Sequence, residues 1–221
     1  TIDFGSEETS SVAKGETWQD TVETISQYSD VIAVRSRLDE LPRMMAERSD
    51  VPIINCGSGS DEHPTQALLD LYTIKRLKGD VNGLNIVIFG DLNNARTINS
   101  LRHILSHYTV TIAEIDLQKR HNDPLEEYIE LFKKADVFYI TRMQREYHGE
   151  VIPEFAGITT HRFVGKTLTL LKDDAIILHP GPALDEVDYE VRKDPRWVYK
   201  QQVKNGLYVR MALLKSVLGH I

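Results

Sequence analysis

A single cysteine, Cys56, stands among the 221 residues. It permits no intramolecular disulfide and fits a reducing compartment, so a disulfide-stapled fold is excluded and a cytoplasmic location expected. No apolar run approaches the roughly 20 residues of a membrane-spanning helix. The opening residues also lack the charged, apolar and small-residue succession of a secretory signal. An excess of positive charge is missing too: 26 Lys and Arg against 33 Asp and Glu leave a net charge of −7. That sign argues against a nucleic-acid partner, whose phosphates have to be neutralised. The sequence has no internal repeat, no low-complexity stretch, no Cys/His metal spacing and no G-x-S-x-G nucleophile elbow, so neither a metal nor a covalent mechanism is expected.

What is present has ordinary folded-protein composition, 41% hydrophobic and 27% charged, in a length that suits one to two domains. Short apolar runs alternate with amphipathic stretches, the pattern of parallel strands crossed over by helices. Strands are expected at 30–34, 51–55, 84–89, 109–115, 135–141 and 175–178. Helices are expected at 17–28, 38–47, 65–77, 95–107, 124–134 and 205–218. The longest helical pattern, beginning at Gln66, lies between two strand groups and bridges them.

Polar residues gather where these strands end. The run Asn55 to Gln66 follows one of them, the place where open α/β sheets bind ligands. On spacing alone it reads as a capped helix start, with Asp61 or Ser60 as cap and Pro64 in the first turn. His63 and Gln66, three apart, would still face one way at a helix N-terminus that favours an anion. Gly90 to Thr97 occupies the position of a dinucleotide fingerprint without its G-x-G-x-x-G. Within it, Arg96 opposes the helix dipole unless an anion or carboxylate shares the site. Arg142 and Gln144 follow another strand, the arginine offering a fork for carboxylate or phosphate. Glu146 either orients that arginine or makes a plain surface pair. His179-Pro180-Gly181-Pro182 must be a rigid turn, and Ser10 to Gly15 reads as a polar loop. Arg35 adds a further strand-end cation. Together these residues would neutralise and orient a multiply anionic substrate pair.

Five segments in this order, residues 10–17, 62–74, 90–97, 141–146 and 202–214, carry a resemblance. The sequence is similar to the aspartate carbamoyltransferase catalytic chains of the aspartate/ornithine carbamoyltransferase family, and the His63-Pro-Thr-Gln66 and Arg142-x-Gln144 motifs are its most specific part. The resemblance implies an α/β fold of two doubly wound parallel-sheet lobes joined by a long helix. Residues 1–64 plus 205–221 would form a carbamoyl-phosphate lobe and 65–204 an aspartate lobe. It further implies that Arg35, His63 and Gln66 bind carbamoyl phosphate, with Arg35 and His63 polarising its carbonyl. Arg96, Arg142 and Gln144 would hold the L-aspartate carboxylates, and main-chain carbonyls around Pro180 and Gly181 would reach the substrate amine. Ser10 and Lys14 would be lent by a neighbouring subunit of a homotrimer, and no cofactor is required.

Three departures limit the likeness. The family's Ser-Thr-Arg-Thr phosphate loop belongs to an amino-terminal stretch outside these residues, and Thr1 falls in the middle of what reads as a strand. The first lobe is therefore expected to be incomplete at its amino terminus, with the remaining donors supplied by an upstream segment or a larger assembly. Gly181 and Ala183 stand where the family has leucine and arginine, and the glycine is expected to loosen the turn. The stretch from Gly90 to Thr141 is shorter than usual. A catalytically impaired homologue acting as a structural or binding subunit is one alternative. Ornithine carbamoyltransferase is another, against which stand Arg142-x-Gln144 and the lack of a His-Cys-Leu-Pro motif.

Overall fold

The computed structural model describes residues 1–3, 11–92, 95–116, 125–142, 165–184 and 186–219. They build two parallel sheets. The first pairs β1 (Ile32–Ser36) with β2 (Ile53–Ser58). Helices α1 (Trp18–Ser26) and α2 (Leu41–Ala46) bury Val22, Ile25, Leu41 and Met45 against Ile32. Thr17 starts α1 by accepting the N–H of Asp20 at 3.2 Å, and the acidic side chain of Asp20 suits the positive end of the helix.

The second sheet has β3 (Asn85–Gly90), β4 (Thr111–Asp116), β5 (Val137–Ile140) and β6 (Ile176–Leu178) in the order β4-β3-β5-β6, all parallel. It is covered on both faces. Ile86, Ile88, Val137, Tyr139, Ile176 and Leu178 meet Ile74 of α3 (Pro64–Lys78) and Ile98, Leu101 and Leu105 of α4 (Arg96–Leu105). The alternate positions Val87, Phe89, Phe138, Ile140 and Ile177 meet Tyr128 and Phe132 of α5 (Leu125–Lys134) and Val191 of α6 (Tyr189–Lys193). Burial on two faces makes β3, β5 and β6 nearly unbroken apolar runs, so they are legible in the sequence. Helix α3 leaves the end of β2, packs on α4 and carries α7 (Tyr199–Val217) along its length.

The chain departs from β3 to one side to make β4 and to the other to make β5. Such a switch point opens a crevice beyond the carboxyl ends of the strands. Gly90 ends β3 there with φ +137°, and a Cβ at this position would collide with the Thr141 side chain and carbonyl. Gly90→Ala should lower the unfolding free energy by about 2–4 kcal/mol in a urea titration; a change below about 0.5 kcal/mol contradicts this close packing.

Several boundaries differ from the sequence reading. Helix α7 begins at Tyr199 rather than 205. Its first turns bury Gln202 and Asn205, and polar residues facing inward are invisible to apolar periodicity. Strand β2 runs on to Ser58, into the polar cluster. The cap of α3 is His63 itself, without a side-chain cap bond, rather than Asp61 or Ser60. Short helical turns at Ser11–Lys14 and Gly165–Leu170, and the five-residue α6, carry too few apolar repeats to be read in advance.

Candidate functional site

The register of the first sheet runs from Ile32 with Ile53 to Val34 with Asn55, and then pairs Ser36 with Ser58, so β2 holds one extra residue. Gly57 takes up that bulge with φ +122°, and its N–H donates to Asn55 Oδ1 at 2.8 Å. A Cβ on Gly57 would lie 3.4 Å from His63 Cδ2 and 3.5 Å from Arg96 Cζ. Its absence lets an imidazole and a guanidinium close on the same backbone.

Arg96, the first residue of α4, reaches across to the first sheet and donates from Nη1 to the Gly59 carbonyl at 2.9 Å. Ser100, one turn on, accepts the His63 N–H at 2.8 Å. Two side chains of α4 thus fasten the start of α3. Burial, then the positive charges of Arg96, Arg35 and Arg210, hold the His63 pKa down to about 4. At neutral pH the ring is uncharged among three arginines, an arrangement suited to binding an anion. Cys56 feels the same field: burial pushes its thiol up while Arg210 and Arg35 pull it down.

Gln66, one turn into α3, is buried, and its Nε2 donates to Asp70 Oδ1 at 2.9 Å. Asp70 also accepts Gln202 Nε2 at 2.6 Å and the Tyr139 hydroxyl at 2.8 Å. Gln202 in turn accepts the His179 N–H at 3.0 Å through its Oε1. A buried chain of polar groups therefore joins Gln66 to the turn that holds Pro180 and Gly181. Gly181 adopts φ +77° before a cis peptide to Pro182, and its N–H donates to His179 Nδ1 at 2.8 Å. Far from loosening the turn, this glycine is pinned, and a Cβ on it would sit 3.0 Å from the Tyr199 hydroxyl. His179 Nε2 lies 2.9 Å from Glu186 Oε1.

Arg142 emerges half-buried after β5, beyond the carboxyl end and beside the switch point. Lys14 is exposed on the helical turn next to α1. Ser10 and Gln144 lie outside the described residues. His63 and Arg96 are thus brought together around Gly57, Arg35 acts on the same ring through its charge, Gln66 is tied to the Pro180 turn, and Lys14 stands apart. Among the described residues no three His, Cys, Asp or Glu side chains converge in a way that could hold a metal, and no helix is long and apolar enough to cross a membrane.

The sequence reading missed Arg210, Asp70 and Gln202. Gly206 packs against Leu69 of α3, and a Cβ on it would meet Arg210 Nη1 at 2.5 Å, so that glycine is what gives the guanidinium its room. The Asn205-Gly206 pair, four residues before an arginine, was the only signal. For Asp70 the signal was a pair of polar residues, Gln66 and Asp70, four apart on an otherwise apolar helix face.

Comparison with known proteins agrees with this geometry. Residues 1–76 match the carbamoyl-P binding domain model of aspartate/ornithine carbamoyltransferase, and residues 82–217 match the Asp/Orn binding domain model. A rice protein named aspartate carbamoyltransferase, chloroplastic, is 41% identical over 96% of this chain, which spans 63% of the rice protein's length. The aspartate carbamoyltransferase catalytic subunit of the archaeon Picrophilus torridus is 40% identical over 99% of the chain, which spans 76% of that protein. Aspartate transcarbamoylase from Trypanosoma cruzi, solved with carbamoyl aspartate and phosphate, superposes with a TM-score of 0.83 at 30% identity, covering 98% of this chain and 74% of that one. Two domain models in sequence order, relatives at about 40% identity and the two-sheet architecture lead to one conclusion: the chain belongs to the aspartate/ornithine carbamoyltransferase family.

Proposed function

We propose that this chain transfers the carbamoyl group of carbamoyl phosphate to L-aspartate, giving N-carbamoyl-L-aspartate and phosphate for pyrimidine biosynthesis. The observation that carries the reading is the convergence at Gly57 of His63, from the start of α3, and Arg96, from the start of α4, with Arg35 and Arg210 adding positive charge around the ring. In the reaction the aspartate amine attacks the carbamoyl carbon and a proton leaves the nitrogen. The bond from that carbon to the bridging oxygen breaks, and phosphate departs with the electron pair. Negative charge builds on the carbonyl oxygen. A neutral imidazole with its proton on Nε2 can donate to that oxygen; Thr65 Oγ1, 3.4 Å from Nδ1, is placed to satisfy the other nitrogen. Arg35, Arg210 and the positive end of α3 favour the phosphate, and Gln66 takes the carbamoyl amide.

Arg96 and Arg142 bind the aspartate carboxylates through their forks, with Gln144 beside them, while carbonyls of the Pro180–Gly181 turn accept from the amine. The domain division follows the same reading, with 1–64 plus 205–221 serving carbamoyl phosphate and 65–204 serving aspartate. Ser10 and Lys14 complete the site of a neighbouring subunit in a cytoplasmic homotrimer. An apolar stripe along α7, Val203, Leu207, Met211 and Leu214, each at least 40% exposed, supports an assembly in which this face is covered. An ornithine acceptor is disfavoured because its cationic side chain would approach Arg142.

The test is steady-state kinetics of Arg142→Ala in the native protein. The KM for aspartate should rise about 10- to 50-fold, the loss of one charge-assisted contact, while the KM for carbamoyl phosphate changes less than about threefold. An unchanged aspartate KM removes Arg142 from the acceptor site.

A further inference from the structure

We propose that Asp70 fixes the side-chain amide of Gln66 with its oxygen toward the substrate, and thereby selects an acyl phosphate carrying NH2 over one carrying a methyl group. The inference rests on the carbamoyl-phosphate reading above and assigns its donor specificity to a residue that never touches the substrate.

An ionised carboxylate only accepts hydrogen bonds. Asp70, fully buried, receives three: Gln66 Nε2 and Gln202 Nε2 on Oδ1, and the Tyr139 hydroxyl on Oδ2. The Gln66 nitrogen is therefore committed to Asp70, and Oε1 is left as the acceptor at the other end of the amide. Gln202 cannot turn to offer Asp70 a different arrangement, because its own Oε1 holds the His179 N–H. An acceptor on Gln66 rewards a carbamoyl NH2 and leaves a methyl group with nothing to give. A site built to hydrogen-bond a substrate NH rejects the analogue lacking it more strongly than apolar fit alone could.

The same geometry keeps the selection independent of the charge of Asp70. Burial raises its pKa to about 7 against the opposing pull of Gln202, Tyr139 and Gln66. A proton taken up by this carboxyl sits on Oδ2 toward the Tyr139 hydroxyl, because Oδ1 faces two amide nitrogens, so Gln66 keeps its orientation in either charge state. Neighbouring elements bring the other groups that face Asp70. On β5, Tyr139 is pushed well above its ordinary value by burial and by Asp70, and bonds Thr97 of α4. From α7, Gln202 and Asn205 are uncharged, the latter holding Arg76 of α3 at 2.8 Å. His179 and Glu186 face each other beyond Gln202.

The experiment measures Kd for carbamoyl phosphate and for acetyl phosphate by calorimetry on the native protein, at pH 8.5 and pH 6. Taking the ratio cancels the ionisation of the phosphate, common to both ligands. In the wild type carbamoyl phosphate should be preferred about tenfold or more at both pH values, the worth of one hydrogen bond. Asp70→Leu, which leaves Gln66 and Gln202 without their acceptor, should lose most of that preference, while Asp70→Asn, whose Oδ1 still accepts both amide nitrogens, should keep it. A wild-type preference below about twofold overturns the proposal, whether or not Asp70→Leu folds, as does a folded Asp70→Leu with the wild-type ratio. Failure of the wild type to bind carbamoyl phosphate at all would overturn the functional reading itself, and this inference with it.

Discussion

His63→Ala will lower kcat by about 10²- to 10³-fold with both substrates saturating, the cost of one oriented donor at a developing oxyanion. His63→Gln, which keeps a donor, should recover part of the loss. The ring is held by its backbone N–H on Ser100 and by close contact with Gly57, so truncation removes chemistry without removing the cap of α3. Its charge state can be followed separately. Because the folded pKa lies near 4, below the ordinary 6.5, the folded protein binds fewer protons here than the unfolded chain between those values. His63 therefore adds stability that is full above pH 6.5 and is lost as pH falls toward 4. An NMR titration of the His63 ring should show no protonation down to about pH 5. A midpoint near 6.5 contradicts the three-arginine cluster.

Arg96→Ala is the second large effect. It should raise the KM for aspartate by about 10²- to 10³-fold, since charge-assisted contacts are worth about 1.5–3 kcal/mol each and this side chain has more than one donor to give. The guanidinium also bridges the two sheets, from the first turn of α4 to the Gly59 carbonyl. Its removal takes away the largest charge contribution holding His63 down, so the His63 midpoint should move up in the same variant. Weakened binding with no movement of that midpoint would place Arg96 away from the ring and break the site as drawn.

Helices and strands were legible wherever burial is simple. The runs at Asn85–Gly90 and Val137–Ile140 are apolar because both faces of their sheet are covered. Arg96, Arg142 and the His63/Gln66 pair stood out because charge and amide groups at strand ends have no structural need to be there. What the sequence could not show was reach. That Arg96 crosses to β2 depends on the bulge at Gly57, which follows from pairing register and from no local pattern. Arg210 comes from the opposite end of the chain, through the packing of α7 on α3. Asp70 and Gln202 lie 132 residues apart and meet only in the folded protein. Polar groups buried in pairs cancel each other's signature in a hydropathy pattern, and this also hid the true start of α7.

The central claim is tested most directly by incubating the native protein with carbon-labelled carbamoyl phosphate and either L-aspartate or L-ornithine, then resolving the labelled products. The account predicts carbamoyl-aspartate in a one-to-one ratio with released phosphate, a rate at least about 10²-fold lower in His63→Ala, and no labelled product on ornithine. Carbamoyl-ornithine as the main product, or no transfer to either amine, would contradict it.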